Sequence, residues 1–172
     1  MNRRYHEPVP LGPEHVVDEF TCRSVEHTHC LRRFARQSGA TGTTKVFAVT
    51  EVGDDHVVAY YSWCMAQLAL DDAPARVRKG AGRYPQPVAL LARLGVDVMH
   101  EGQGLGTSLF RDVIVRLLSI DETIGCRGLL IHAESTDARN FYRHLLPELE
   151  PSPTDDLHLV LLMKDARKTF GP

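Results

Sequence analysis

The sequence has only four cysteines, Cys22, Cys30, Cys64 and Cys126, and no two of them form a CxxC pair. In a chain of 172 residues with no secretion signal, a disulfide framework is not expected. The cluster Cys22, His27, His29 and Cys30 invites a zinc site. Its spacing matches no usual ligand pattern and the other cysteines offer no second pair, so no metal is expected. Hydrophobic runs are also short. The longest, Leu157 to Met163, is interrupted by His158 and falls well below the roughly 18–20 residues that span a bilayer. Met1 to Leu11 is polar, charged and proline-bearing, without the apolar segment of a signal peptide. These absences predict a cytoplasmic protein with no membrane association. Internal repeats and low-complexity segments are missing as well. Neither sign of charge dominates, and a formal net charge of −2 supplies no global attraction for nucleic acid.

What is present describes an ordinary globular chain, 43% hydrophobic and 24% charged, of a length that fits one domain over residues 1–172. Prolines make Pro8 to Pro13 an extended arm. A helix is predicted from Ser24 to Gln37, with Val25, Leu31 and Phe34 inward and Arg32, Arg33 and Arg36 outward, ending at Gly39. Two strands follow, Lys45 to Glu51 and Val57 to Leu68, joined by the turn Gly53-Asp54-Asp55. Ala69 to Gln86 reads as a loop, and Val88 to Val98 as an apolar strand suited to a central position. Leu105 to Ile120 carries Leu105, Leu109, Val113 and Leu117 at helical spacing. Cys126 to Ala133 is a short buried strand, Asp137 to Leu145 a helix and Leu157 to Lys164 a last strand. Strands interleaved with helices imply an α/β or α+β domain.

The most informative stretch runs from Ala92 to Phe110, where a strand enters a glycine-rich turn that opens an amphipathic helix. The first N–H groups of a helix lack internal partners and sit at the positive end of its dipole, which suits an anion. Gly102, Gly104 and Gly106 let the backbone approach a phosphate. The spacing G-x-G-x-G misplaces the third glycine of a dinucleotide fingerprint, and no G-K-[ST] marks a nucleoside-triphosphate loop. A turn that only tightens a strand-to-helix connection is the alternative at this point.

On these residues the sequence resembles the GNAT acetyltransferases, whose pyrophosphate loop follows [QR]-x-x-G-x-[GA]. Here it reads Glu101-Gly102-Gln103-Gly104-Leu105-Gly106, with Glu101 in place of the usual Gln or Arg. The resemblance implies a central mixed, mostly antiparallel sheet flanked by helices, with a V-shaped splay between the fourth and fifth strands. It implies acetyl-CoA as cofactor, held by the backbone of Leu94, Gly95 and Val96 along the pantetheine arm and by the loop from Glu101 to Thr107. From N-F-Y, here Asn140-Phe141-Tyr142, it implies Asn140 at the cofactor and Tyr142 as general acid for the coenzyme A thiolate. The usual G-F after that motif is replaced by Leu145-Leu146-Pro147.

The toxins of GNAT toxin–antitoxin modules resemble it over nearly the whole chain. The matching segments are F-T-C-R-S-V (Phe20 to Val25), L-R-R-F-A-R-Q-S-G-A-T-G (Leu31 to Gly42), A-Y-Y-S-W (Ala59 to Trp63), A-R-L-G-V-D and I-G-C-R-G-L-L-I-H-A (Ile124 to Ala133). That implies acetylation of the α-amine of aminoacyl-tRNA, which blocks translation, a ribbon-helix-helix antitoxin as partner, and a homodimer.

Acetyl transfer from a thioester needs a neutral amine, stabilisation of the oxyanion and a proton for sulfur. The N–H near Val96 is a candidate oxyanion donor, and His132 or Glu134 a candidate base. A base is not obligatory for an α-amine: at pH 7 it is ~10–15% neutral, against ~0.04% for a lysine amine. Residues 73–96 contain Arg76, Arg78, Lys79, Arg83 and Arg93 and no acid, and Arg32, Arg33 and Arg36 form a second basic group. Such clusters bind RNA phosphates by releasing counterions, although Arg76, Arg78 and Lys79 could equally bind an antitoxin tail. Two other readings remain: an acetyltransferase acting on a small amine or protein amine, and a non-catalytic acyl-CoA-binding module.

Overall fold

The computed structural model describes residues 4–171, so Met1 to Arg3 of the N-terminal stretch and Pro172 lie outside the described residues. In chain order the elements are β1 (Val9–Pro10), α1 (Val25–His29), a π-helical turn (Cys30–Phe34), α2 (Ala35–Thr41), β2 (Lys45–Thr50), β3 (Val57–Leu68), a 3-10 turn (Leu70–Asp72) and α3 (Ala75–Arg78). They continue with β4 (Gln86–Val96), a 3-10 turn (Val98–His100), α4 (Leu105–Asp121), β5 (Gly128–His132), α5 (Thr136–Leu145), β6 (Glu150–Pro151), β7 (His158–Leu162) and α6 (Met163–Phe170). The strands form one seven-stranded sheet in the order β1-β2-β3-β4-β5-β7-β6. Its pairings are antiparallel between β1 and β2, β2 and β3, β5 and β7, and β6 and β7, and parallel between β4 and β5. This is the mixed, mostly antiparallel sheet with helices expected of a GNAT fold.

The chain divides into two compact units. The first runs up to Cys64 and takes in Arg93–Asp112; the second comprises Met65–Ala92 and the chain from Val113 onward. In the first, the Pro8 to Pro13 arm is extended as expected, and Val9 and Pro10 pair with Ala48 and Phe47 of β2. β2 in turn pairs with β3 from Lys45↔Trp63 to Val49↔Ala59. Phe20, Leu31, Ala35, Val46, Ala48, Val57 and Tyr60 close into its core. Apolar burial at roughly 25 cal/mol per Å2 is what holds such a cluster together. The Tyr60 hydroxyl, buried among them, satisfies its hydrogen-bonding requirement by donating to the His27 carbonyl at 2.6 Å.

The helical segment after Ser24 differs from expectation. Ser24 caps it, accepting the His27 N–H at 3.0 Å, but Val25 and Phe34 are exposed (84% and 49%). The π-helical turn widens the spiral, so that His27, Leu31 and Ala35, spaced by four, share the buried side instead. The helix also passes Gly39 and ends at Thr41. Gly42, at φ 78°, is the left-handed residue that lets the chain leave it.

In the second unit, β4 pairs with β5 from Ala89↔Leu129 to Leu91↔Ile131. Leu68, Ala73, Val77, Val88, Leu130, Val160 and Leu162 form the core. The expected loop Ala69 to Gln86 contains two short helical turns, and the expected last strand stops at Leu162. From Met163 the chain is helical because Met163 and Ala166, three apart, are buried while Lys164, Arg167 and Lys168 are not. Leu105, Leu109, Val113 and Leu117, the stripe read from spacing, are all buried on α4.

Candidate active site

In the first unit the site is built from the end of β4 and the turn that follows. Gly95 sits close under its neighbours: a Cβ there would stand 3.2 Å from the Cys22 sulfur, which would have to give by a few tenths of an ångström, and in ordinary contact with Tyr60 and Phe20 at 3.4 and 3.5 Å. Next, Asp97 locks the strand end. Its backbone N–H donates to the Val58 carbonyl, and its buried carboxylate accepts the N–H groups of Thr21 and Met99, each at 2.9 Å. An aspartate capping a 3-10 turn is a standard solution; the expected strand Val88 to Val98 therefore ends at Val96, and Asp97 is not among the sequence-derived candidates.

The glycine loop follows directly. Gly102 and Gly104 take φ of 75° and 79°, a region that L side chains rarely enter, and a Cβ on either would point into open space. The first intrahelical bond of α4 runs from the Ser108 N–H to the Gly104 carbonyl at 3.0 Å. The N–H groups of Leu105, Gly106 and Thr107 therefore have no intrahelical acceptor. Gln103 and Thr107 are exposed, and Leu105 is buried as the first anchor of the helix. Left-handed glycines, open space and free N–H groups fit a diphosphate.

Glu101 is not a bare charge beside this loop. Its two carboxylate oxygens take Nε and Nη2 of Arg23 at 2.8 and 2.9 Å, a two-point pair. Arg23, absent from the sequence-derived candidates, thus brings a cation to the position where the family carries Gln or Arg.

In the second unit Ser135 caps α5 by accepting the Ala138 N–H at 3.1 Å. The helix buries Tyr142 (5% exposed) and exposes Asn140. Burial, and after it the Glu134 carboxylate, hold the Tyr142 phenol above its ordinary range, so the hydroxyl keeps its proton at neutral pH. His132 stacks on His158 with ring centroids 3.9 Å apart, across paired positions of β5 and β7. Burial and the neighbouring His158 lower the His132 pKa, with Asp155 opposing. Burial also raises the thiols of Cys30, Cys64 and Cys126, which makes them poor nucleophiles.

The basic residues fall into two kinds. Arg32 donates to the Phe20 carbonyl at 2.7 Å and to the Thr21 hydroxyl at 2.8 Å, and Arg36 donates to the His15 carbonyl. Arg76 is held by Asp165 through two bonds and by Glu150, and Arg93 by Glu26. Arg33, Arg78, Lys79 and Arg83 are exposed and have no ion pair or side-chain hydrogen bond among the described residues. Spacing along the chain cannot separate these kinds, because Asp165 lies 89 residues from Arg76.

No family model matches the chain. A tRNA-acetylating toxin of Mycobacterium tuberculosis is 39% identical over 167 residues, covering 97% of this chain and 98% of that protein. Among solved structures, AtaT complexed with acetyl-methionyl-tRNAfMet is similar with a TM-score of 0.86 at 19% identity, over 96% of this chain and 99% of that one. A tyrosine-to-phenylalanine mutant of AtaT, bound to the C-terminus of the antitoxin AtaR and to acetyl-CoA, has a TM-score of 0.81 at 17% identity, over 99% and 100%. At these identities the likeness to AtaT is one of fold.

Proposed function

The chain belongs to the family of tRNA-acetylating toxins, and on that footing we propose that it transfers the acetyl group of acetyl-CoA to the α-amine of an aminoacyl-tRNA, so blocking translation. The observation that carries the chemistry is the loop at Gly102 and Gly104, left-handed at both glycines and followed by unpaired helix N–H groups. Bound acetyl-CoA supplies the activated thioester. The roles of the chain's own residues follow from it. Glu101 to Thr107 hold the diphosphate, Leu94 to Val96 present a strand edge to the pantetheine arm, and Asn140 contacts the cofactor. The N–H near Val96 donates to the carbonyl oxygen as charge develops there. Tyr142, kept protonated by burial, gives its proton to the departing sulfur as the C–S bond breaks and the C–N bond forms. The attacking α-amine enters neutral and releases its proton after attack.

Arg33, Arg78, Lys79 and Arg83, with free guanidinium and ammonium groups, are the better RNA contacts. Arg32, Arg36 and Arg76 are engaged within the fold instead, with the Phe20 carbonyl, the His15 carbonyl and the Asp165 carboxylate. The whole chain is read as a single GNAT domain, a reading supported by β3, β4 and α4, each of which contributes residues to both units. A ribbon-helix-helix antitoxin, a homodimeric state and a cytoplasmic site of action complete the proposal. The antitoxin-bound AtaT structure supports an antitoxin as partner, without bearing on its ribbon-helix-helix type.

Labelled acetyl-CoA incubated with total charged tRNA, and separately with deacylated tRNA, tests the function. Label retained only on charged tRNA and lost on mild alkaline deacylation is the expected result. Transfer to small amines or protein with none to tRNA would replace the acceptor, and no turnover at all would leave a binding module.

A further inference from the structure

We propose that Tyr84, in the loop between α3 and β4, stacks on an unpaired base of the RNA, which makes residues 78–84 a docking site for single-stranded RNA. This rests on the reading of tRNA as substrate and adds which part of it the loop takes. Tyr84 is 77% exposed, and its ring has neither an aromatic neighbour nor a hydroxyl partner among the described residues. A lone exposed aromatic is unremarkable by itself; the setting of this one is not ordinary. Arg78, Lys79 and Arg83 precede it in sequence, all exposed and without acidic partners, in a segment (residues 73–96) that contains no acid.

The loop backbone is held from within. The Gln86 side-chain amide, on a buried residue, donates to the carbonyls of Ala81 at 3.2 Å and Tyr84 at 2.9 Å. Arg127 Nη2 donates to the carbonyls of Val77 at 3.2 Å and Lys79 at 2.9 Å. Four carbonyls of one short segment, from Val77 to Tyr84, are thus tied to two side chains. A loop clamped through its carbonyls does not have to order its backbone on binding, which lowers the entropic cost of association. An aromatic ring flanked by free cations is the arrangement that takes single-stranded nucleic acid: cations meet phosphates and the ring meets a base face. Duplex RNA has no such face to offer, because its bases are stacked on one another, whereas the unpaired 3′ end of a tRNA does.

The test measures binding of a short single-stranded RNA, a blunt RNA duplex and deacylated tRNA to the full chain. Variants are Tyr84→Ala, Tyr84→Trp and the pair Arg78→Ala with Lys79→Ala. Tyr84→Ala is expected to weaken binding of single-stranded RNA and tRNA by roughly 5- to 100-fold while leaving the salt dependence unchanged. The paired cation variant lowers the slope of log affinity on log salt instead. Tyr84→Trp retains affinity, and its added indole fluorescence, read against the single native Trp63, is quenched by single-stranded RNA and not by duplex. Wild-type affinity in Tyr84→Ala, or equal quenching by duplex, overturns the stacking proposal and leaves the tRNA substrate standing. Absence of tRNA binding by the wild-type chain overturns both.

Discussion

Removal of Arg23 should expose the charge of Glu101 to the cofactor. The Arg23 guanidinium meets both Glu101 oxygens at 2.8 and 2.9 Å, and the two side chains are 76% and 34% exposed. In Arg23→Ala the carboxylate stands unneutralised at the head of a loop assigned to a diphosphate. Two unit charges about 4 Å apart interact by about 1 kcal/mol in water and about 4 kcal/mol at an effective dielectric of 20. Arg23 is largely solvated, so the low end applies, and about 1 kcal/mol corresponds to about fivefold weaker acetyl-CoA binding. Thermal stability should change little, since exposed ion pairs contribute about 0–1 kcal/mol. The decisive variant combines Arg23→Ala with Glu101→Gln, which removes the repulsion together with the cation and restores the amide the family favours. Calorimetric titration with acetyl-CoA should return the double variant to within about twofold of wild type. If the double variant binds as weakly as Arg23→Ala, or if Arg23→Ala binds as wild type, the neutralisation argument fails.

Tyr142→Phe should keep acetyl-CoA affinity and lower kcat by about 10^2- to 10^4-fold, the usual contribution of a positioned acid; normal turnover in steady-state assays refutes the assignment. The pH profile carries an independent sign. Burial raises the Tyr142 pKa, so kcat/KM should rise as the acceptor amine, with pKa near 7.7–8.0, loses its proton, and should show no alkaline decline up to pH about 10. The same shift makes the folded chain hold a proton that the unfolded chain loses near pH 10, so stability from this group is present below about pH 10 and declines as pH rises further. Gly102→Ala must place a side chain at φ 75°, at a cost of about 1–2 kcal/mol. A melting temperature lower by several degrees together with weaker acetyl-CoA binding is expected, and an unchanged variant would mean that the loop relaxes freely.

Much of this protein is legible before any fold is known. β3 and α4 were readable because an apolar, aromatic run after a turn and a 3.6-residue stripe are local properties, and the buried Leu105, Leu109, Val113 and Leu117 follow from spacing alone. The glycine loop was readable for the same reason: left-handed φ and a helix start are written in consecutive residues. The π-helical turn defeated that logic, because a single widened turn shifts every following residue around the helix, and so Phe34 faces out where Leu31 faces in. Helix α6 was missed because seven residues of apolar run hid the point where burial passes from every residue to every third.

Residue types and their local spacing were enough to place most of the strands, α4 and the glycine turn, and the resemblance of several segments implied the family. Only the tertiary structure decided which charges are free to act. Glu101 is neutralised by a residue 78 positions away, and Arg76 is held by Asp165 from 89 positions away. Arg33, Arg78 and Arg83, alike in sequence, face solvent. The physical reason is that pairing a charge is a matter of ångströms in space, and chain spacing carries no information about the partner that folding brings to it.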